Sequence, residues 1–484
     1  MLSFVAMPTT PEQELAEQRA RWRLLPHMRH LQWHDRLLKD EFLDPAEIRG
    51  HQEKALGLLL DFAASNVPFY GTVLGEVRRR LPNARPLEVL ANLPPLTRNQ
   101  AQENAASLRP LRMPPGQRRV DVTRTSGTTG QPIEIDQSAA SLSRFAWLKQ
   151  REFRWFRMDP SAKLAAIRPM TELPRTSRGT HMEPGEVLRG EWLYVGKYFH
   201  TGPFVGFSNL NAVEEQVGFL RAENPAYLLM QSAGLEHVAF AGGGRIALRG
   251  SVAISQTLTP AMRATIETAF GAPVHQNYGL NEIGLVASRC PEGGRYHVHA
   301  EHCVVEIVDD EGQPCRPGDR GRLLVTALAN AAMPLLRYDA DDLAVAVEGP
   351  CPCGRTLPSF GEVIGRYRRI AALPRGTWRR WGAIQLALHT MPPNLAATLR
   401  RYQVRQFRDE HWALKIDATG DHAEAIGAWV RPRFAEAVEG DEAPPLTVVA
   451  TDRFEGDLLG KFQSFLSDFM PAPDTADTPQ GAPP

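Results

Sequence analysis

A glycine- and hydroxyl-rich segment is the stretch of this sequence whose residue types most readily suggest chemistry. Residues 124–132 read RTSGTTGQP, with the strand-like run VDV before them and PIEI after them. Backbone N–H groups that two glycines bring close, with hydroxyls beside them, can cradle phosphate oxygens. The segment is not a Walker A loop, because GKS/T is absent and no helix follows directly. A polar turn between two strands remains the alternative. The candidate phosphate ligands are Thr125, Ser126, Gly127, Thr128, Thr129 and Gly130.

A second group of residues has the types and spacing of a metal site. The five cysteines are an odd number in a long chain, which disfavours a disulfide framework and favours metal ligands or free thiols. Three thiols and one imidazole form a closed tetrahedral set suited to structural zinc. His299 and His302 are alternatives to His297, which is the preferred histidine ligand. Free buried thiols, without a metal, are the other interpretation of the cysteines. Cys303 and Cys315 are expected to be ordinary strand and loop residues. The predicted zinc ligands are Cys290, His297, Cys351 and Cys353.

These residues must be positioned by more than one domain, because 484 residues exceed one compact core. Residues 1–110 have helical patterns with few β-branched residues, and residues 111–365 alternate short β-rich runs with helical ones. That alternation predicts an α/β body with largely buried strands. Residues 366–470 predict a smaller α+β domain, and the Pro-, Ala- and Asp-rich residues 471–484 predict a disordered tail.

Composition excludes some classes of partner. Lys+Arg and Asp+Glu both total 55, so charge alone supports neither a nucleic-acid nor a membrane-surface partner. No apolar run approaches the roughly 20 residues that span a bilayer, and the N-terminus lacks the features of a signal peptide. We therefore expect a cytoplasmic protein.

Five short sequence segments resemble the motifs of the adenylate-forming superfamily and follow one another in the order that the family has. They are TSGTTGQP at 125–132, YGLNE at 278–282, LLRY…DL at 335–343, GR at 365–366 and GKF at 460–462. Within that superfamily, the strings LPPLTR, LLRY and CPCGRT resemble the phenylacetate–CoA ligase branch and its capsule-biosynthesis relatives. The zinc half-sites are also similar in length to those of zinc-bearing members of this branch. The resemblance covers about residues 92–462.

The resemblance implies a fold and a reaction. The fold would be a large N-terminal adenylate-forming domain followed by a small mobile C-terminal lid. The reaction would activate a small carboxylic acid with ATP, release pyrophosphate, and pass the acyl group from acyl-AMP to a thiol, in the first instance coenzyme A. Both steps crowd negative charge, so the site requires a metal, a cation and oriented donors.

The resemblance also assigns roles to single residues. Glu282 would hold Mg²⁺, Tyr278 would lie along the adenine, and Asn281, where the family has Thr or Ser, would donate to phosphate or carboxylate. Asp342 would accept hydrogen bonds from the ribose hydroxyls. Its offset from Arg337 matches the family better than those of the neighbouring candidates, which are Asp339 and Asp341.

Two further cations complete the implied site. Arg366 would touch the ribose or phosphate side, although the YRRI that follows lacks the Asp pair usual in this branch. Lys461 would bridge the substrate carboxylate and the α-phosphate. Lys415 is the only other lysine after the hinge, and its alternating strand WALKI indicates a solvent-facing role.

The acid and the acceptor are less constrained. Candidate acyl-pocket segments are 227–233, 254–256 and 275–277, and the Ser255-Gln256 pair departs from the branch, so an aromatic acid other than phenylacetate is allowed. A carrier-protein phosphopantetheine or an amine could replace coenzyme A. The remaining alternatives are a nucleotide-binding regulator without catalysis and a zinc-knuckle nucleic-acid module, which the neutral charge disfavours.

Overall fold

The computed structural model describes most of the chain. The described residues are 21–26, 33–124, 133–168, 185–242, 244–255, 258, 260–309, 311–366, 380, 383–384, 387–388, 391–436, 444–454 and 465–468. By contacts the chain divides into two units, Met1–Thr257 with Ile266–Val363, and Leu258–Thr265 with Ile364–Pro484.

Helices dominate the early part of the chain. The longest begins after Asp44, whose side chain accepts a hydrogen bond from the Ala46 N–H at 2.8 Å, and Pro45 occupies the first helical position. Its buried face carries Leu56 and Leu60 into the core. The helices are α1 (Trp33–Asp40), α2 (Pro45–Asn66), α3 (Pro68–Arg80), α4 (Pro86–Ala91), α5 (Arg98–Glu103), α6 (Ala139–Trp155), α7 (Val213–Glu223), α8 (Ser232–Gly242), α9 (Pro260–Phe270), α10 (Pro393–Ala396) and α11 (His422–Glu436).

Eighteen strands are seen in the described residues, and twelve of them form one sheet. The sheet order is β11-β12-β13-β14-β10-β9-β8-β7-β6-β3-β5-β4. The strands are β1 (Arg119–Arg124), β2 (Glu134–Ser138), β3 (Leu164–Arg168), β4 (Leu188–Glu191), β5 (Pro203–Ser208), β6 (Tyr227–Gln231), β7 (Gly250–Ile254), β8 (Val274–Leu280), β9 (Gly284–Arg289), β10 (Tyr296–Val298), β11 (Cys303–Val308), β12 (Arg320–Ala327), β13 (Tyr338–Ala346), β14 (Ser359–Arg366), β15 (Leu399–Gln406), β16 (Trp412–Ala418), β17 (Leu446–Ala450) and β18 (Phe465–Ser467).

The direction of the strands changes at β8. Strands β5, β3, β6, β7 and β8 run parallel, whereas β8 pairs antiparallel with β9, and β9 with β10. β6 and β7 are buried along nearly their whole length and rich in Leu, Val and Ile, as expected for parallel strands covered on both faces. Ligands of open α/β sheets bind outside the carboxyl ends of such strands.

The C-terminal unit has its own four-stranded sheet, in the order β17-β16-β15-β18. β15 and β16 pair antiparallel, and α11 packs its Ile426 and Val430 into a core with Trp412 and Phe434. The predicted α/β multi-domain class, with a large sheet unit and a smaller α+β unit, is confirmed.

Candidate active site and metal centre

The turn between β8 and β9 positions Glu282. Leu280 pairs with Gly284 across the turn, and a Cβ atom on Gly279 would lie 2.9 Å from the Gly284 carbonyl oxygen. That close backbone approach explains why the YGLNE motif has a glycine at Gly279. Asn281 is exposed at the turn, and Glu282 is buried beside it. The turn therefore presents an amide to solvent and a carboxylate to the interior.

Glu282 is held by two donors from distant parts of the chain. The Arg98 Nη1 lies 2.8 Å from Glu282 Oε1, and the Tyr338 hydroxyl donates to the same oxygen at 2.9 Å. The side chains of Arg98 and Glu282 are only 12 % and 8 % exposed, so this ion pair is shielded from water. Burial, followed by the negative charge of Glu282, raises the pKa of Tyr338, which therefore stays a proton donor.

A second tyrosine–carboxylate hydrogen bond joins the same two motifs, and here the YGLNE motif supplies the tyrosine donor. The Tyr278 hydroxyl donates to Asp342 Oδ2 at 2.8 Å. Thus the tyrosine of each word donates to the carboxylate of the other word. Of the two alternatives to Asp342, Asp339 lies 3.7 Å from Arg322 in an ion pair and accepts a hydrogen bond from the Asp341 N–H. Asp342 is the aspartate that accepts a hydrogen bond from the YGLNE motif, through the Tyr278 hydroxyl.

The LPPLTR segment completes this arrangement, and its arginine is the site residue that sequence reasoning missed. Leu96 donates its N–H to the Arg337 carbonyl and accepts from the Asp339 N–H, both at 3.0 Å. Thr97 then caps α5, accepting a hydrogen bond from the Gln100 N–H at 3.2 Å. Arg98 follows the cap directly, so the only sequence signal was its place at the first turn of a capped helix.

Some of the backbone strain in the described residues lies in or near these motifs. Arg337 and Asp341 have positive φ angles of 48° and 59°, and Ser255 has one of 63°. Non-glycine residues in this region cost free energy and cluster at functional sites. The Arg337 guanidinium is itself paired with Glu306 at 3.0 Å in the interior, so it acts as support for β13 rather than as a ligand group.

Several predicted site residues lie outside what is described. Thr125–Gly130 and Lys461 are among the residues without a described placement, and only the backbone of Arg366, at the end of β14, is described. The strands that flank the glycine-rich segment, β1 and β2, pair antiparallel, with Arg124 opposite Glu134. The phosphate-binding and lysine assignments remain predictions.

The predicted acyl-pocket segments overlap three adjacent parallel strands, and Gln256 lies outside the described residues. Met230 of β6 pairs with Ala253 of β7, and Ala253 pairs with Gln276 of β8. His275 is stacked on Phe156, with ring centroids 4.2 Å apart and planes within 6°. The segments are therefore brought together where the sheet changes direction, although His275 is already engaged by an aromatic partner.

The four predicted zinc ligands converge. Their ligand atoms all lie within 4.8 Å of one another, and all four residues are buried. Cys353 Sγ lies 3.3 Å from His297 Nε2, and Cys351 Sγ lies 3.7 Å from Cys290 Sγ. A hydrogen bond with Cys290, and also one with His297, lowers the pKa of the Cys353 thiol, which favours a thiolate. The donor set and its closeness suit a tetrahedral metal ion.

The surrounding backbone fits such a centre. The Gly293 N–H donates to Cys290 Sγ at 3.2 Å, and the Arg355 N–H donates to Cys353 Sγ at 3.4 Å. A Cβ atom on Gly293 would collide with Cys351 Sγ, so this glycine is required for the ligands to approach. The PEGG string after Cys290 is the sequence signal for Gly293.

The alternative histidines are occupied elsewhere. His299 Nε2 lies 3.2 Å from the Ser288 hydroxyl, and His302 Nε2 lies 2.9 Å from the Ile283 carbonyl oxygen. Cys303 is buried within β11, and Cys315 lies in the loop before β12, both outside the cluster.

A buried charge network adjoins the metal cluster. Glu41, after α1, accepts hydrogen bonds from the Trp155 ring at 2.8 Å and from Arg154, and lies 3.1 Å from Arg151 and 3.3 Å from Arg355. The Arg355 guanidinium also lies over the Trp155 ring, 4.7 Å from its centroid. Burial alone would raise the pKa of Glu41, but the three guanidiniums hold it below its usual range. Glu41 thereby ties the first helix to the segment after Cys353.

Sequence comparison identifies the chain's relatives. The phenylacetate–coenzyme A ligase of Thermus thermophilus is 28% identical over 377 residues, which cover 75% of this chain and 80% of that protein. The chain is a relative of the phenylacetate–coenzyme A ligases. Their Escherichia coli counterpart is 25% identical over 340 residues, covering 66% of this chain and 71% of its own. No protein-family profile matches the chain.

The solved structures of similar fold include a CoA ligase. A 2-hydroxyisobutyryl-CoA ligase in the postadenylation state, with an acyl-AMP bound, has a TM-score of 0.65 at 17% identity, covering 89% of this chain and 91% of that one. An open conformation of that ligase, with 2-HIB-AMP and CoA, has a TM-score of 0.57 at 15% identity and covers 96% of each chain. The adenylate-forming fold predicted for this phenylacetate–coenzyme A ligase relative is therefore confirmed. In the described part of the chain, no helix is both long and apolar enough to cross a membrane.

Proposed function

We propose that this protein is an AMP-forming acid–thiol ligase that activates a small carboxylic acid. The observation that carries the proposal is the reciprocal pairing of Tyr278 with Asp342 and of Tyr338 with Glu282. It gathers the implied ribose acceptor and the implied metal ligand at one place, beside the carboxyl ends of the parallel strands. The relatives named as phenylacetate–coenzyme A ligases support the same reaction class.

In the first half-reaction, a carboxylate oxygen of the acid forms a bond to the α-phosphorus of ATP. The bond from that phosphorus to the bridging oxygen breaks, and pyrophosphate leaves. Glu282 would hold Mg²⁺, which supplies charge neutralisation for the phosphates when bound. The hydroxyls and N–H groups of residues 125–130, the Asn281 amide and Arg366 would orient phosphate oxygens, Asp342 would hold the ribose, and Tyr278 would lie along the adenine.

In the second half-reaction, a thiolate attacks the acyl carbonyl, and the carbon–oxygen bond to AMP breaks. We propose coenzyme A as the thiol, because the solved neighbours of this fold include a ligase bound to CoA. We propose an aromatic acid, since the sequence relatives are named for phenylacetate. Ser255, which follows β7 directly and has a positive φ angle, is where the acid's identity would differ.

The test is acid-dependent exchange of labelled pyrophosphate into ATP across a panel of aryl and short acyl acids. Exchange with an aryl acid, followed by CoA-dependent AMP release, supports the proposal. AMP release that requires a carrier protein or an amine instead of CoA would change the acceptor. No exchange with any acid, despite nucleotide binding, would identify a non-catalytic relative.

We also propose that the Cys290–His297–Cys351–Cys353 cluster holds one structural Zn²⁺. Three thiols and an imidazole close a tetrahedral shell with no position left for substrate. Backbone N–H donors to two of the sulfurs support thiolate ligands. The ligands would remain reduced in the cytoplasm, which is the compartment we propose.

The zinc proposal predicts a metal content that depends on the cluster. Protein purified without chelator should contain about one zinc per chain, and Cys353→Ser should lose most of it, because three ligands bind far more weakly than a closed shell of four. Elemental analysis of both proteins measures this. Cys315→Ser, which changes a thiol outside the cluster, is the matched control. Equal zinc in Cys353→Ser and wild type would contradict the assignment.

Arg98 is predicted to position Glu282 for magnesium. Removing the guanidinium should lower the adenylation rate of Arg98→Ala by about 10- to 100-fold, the usual cost of losing an outer-shell partner of a metal ligand. Pyrophosphate exchange measured over a magnesium titration would show the loss as a higher half-saturating magnesium concentration. Arg112→Ala, at an exposed arginine, should leave the curve unchanged. A curve for Arg98→Ala that superposes on wild type would refute this role.

A further inference from the structure

A cavity on the large unit is lined by residues to which no role in nucleotide, acid or zinc binding is assigned. It has a volume of about 320 Å³ and lies between α1, α2, α6 and the residues around Ala300 and Leu357. That volume falls at the lower end of the range for small-molecule pockets. Among its described lining residues there is no thiol and no hydroxyl, so its chemistry is suited to binding rather than to nucleophilic attack.

Cations outnumber acids on the cavity wall. Arg36, Lys54 and Arg144 line it, against Asp40 and Glu301. Both acids already have an arginine partner. Asp40 lies 3.6 Å from Arg36, and Glu301 makes two contacts with Arg151, at 2.6 and 3.0 Å.

Two of the cations, Lys54 and Arg144, lie at different depths of the wall. Lys54 is exposed at the rim and forms no ion pair with any residue in the described part of the chain. Arg144 is half-buried deeper in the wall and donates to the Glu301 backbone carbonyl.

The cavity wall is also partly apolar. Ile48, Ala55 and Leu357 give the cavity an apolar side, and Leu58 is left 68% exposed at its edge. Exposed large aliphatic side chains beside a concave surface are a feature of ligand grooves. The wall thus combines a cationic part and an apolar part within one small volume.

We propose that this cavity binds a small organic anion with an apolar body, its head group at Lys54 and Arg144 and its body against Ile48 and Leu58. A carboxylate or a phosphate would satisfy the same cations. The site is independent of the proposed ligase reaction, because none of its lining residues is assigned to that reaction.

The test uses 8-anilinonaphthalene-1-sulfonate as the anionic probe and N-phenyl-1-naphthylamine, which has the same rings without the charge, as its neutral counterpart. Fluorescence titrations of the full-length protein give a Kd for each. Lys54→Ala should raise the sulfonate Kd about fivefold, and Arg144→Gln about tenfold, whereas the neutral probe should change less than about twofold.

Lys39→Ala is the matched control, because Lys39 is an exposed lysine on α1 that does not line the cavity. Lys54 is itself exposed, so its variant should fold normally and keeps the test valid if Arg144→Gln does not. Displacement of the probe by 1-naphthoate would identify a carboxylate site, and displacement by 1-naphthyl phosphate a phosphate site. Failure of both to displace it, or a sulfonate Kd in Lys54→Ala within about twofold of wild type, would overturn the proposal.

Discussion

Lys461→Ala is expected to slow acid-dependent pyrophosphate exchange by about 10²–10³-fold, the usual cost of removing one group that stabilises charge developing in a transition state. A compact ammonium between the substrate carboxylate and the α-phosphate would oppose the charge that gathers as the new phosphorus–oxygen bond forms. The prediction depends on the resemblance of GKF at 460–462 to the family's lysine motif, because Lys461 lies outside the described residues.

Lys415→Ala is the matched control. Lys415 lies in β16, where the alternating strand directs it away from the buried Leu414 and Ile416, and its variant should keep wild-type exchange within about twofold. Loss of exchange in Lys415→Ala with full exchange in Lys461→Ala would show that the motif had been assigned to the wrong lysine.

Glu41→Ala is expected to lower the free energy of unfolding by about 3–5 kcal/mol, because it leaves buried arginines without their shared carboxylate. Glu41 is fully buried and contacts Arg151, Arg154 and Arg355. Urea denaturation of the full chain measures the change. Glu76→Ala removes an exposed carboxylate from α3 and should change stability by no more than about 0.5 kcal/mol. A similar small change for Glu41→Ala would show that the network contributes little.

The contribution of Glu41 to the free energy of unfolding should depend on pH. Burial opposes ionisation of Glu41, but its guanidinium partners hold its folded-state pKa below the ordinary value of about 4.3. A group with a lowered folded pKa contributes stability that is complete above the ordinary value and is lost as pH falls through the folded value. The stability difference between wild type and Glu41→Gln should therefore be constant near neutral pH and narrow in acid.

The clustering of the four proposed zinc ligands could be predicted from sequence, because cysteine and histidine are rare in this chain and their spacing is characteristic. Cys290, His297, Cys351 and Cys353 converge as predicted, since few other residues of the chain could compete for the role. His299 could not be separated from His297 by pattern, because residues two apart share one face of a strand. The contact of His299 with Ser288 resolves the choice, and that contact is tertiary.

Other features required the fold. β13 reads YDADDLAVA, and aspartates are depleted in strands, so its sequence gives a weak strand signal. Tertiary partners offset that cost, since Asp339 faces Arg322 and Asp342 accepts from Tyr278. Arg98 and Glu41 likewise look like surface residues in sequence, because burial of a charge depends on partners far along the chain.

The most direct test of the central claim is the fate of the acid's oxygen. The acid that supports exchange would be labelled with ¹⁸O in its carboxylate and turned over with ATP and CoA, and the AMP analysed by mass spectrometry. Attack of the carboxylate on the α-phosphorus predicts one ¹⁸O atom in each AMP, because the later carbon–oxygen cleavage leaves that oxygen on phosphorus. AMP free of the label, or formation of ADP in its place, would contradict an acyl-AMP intermediate.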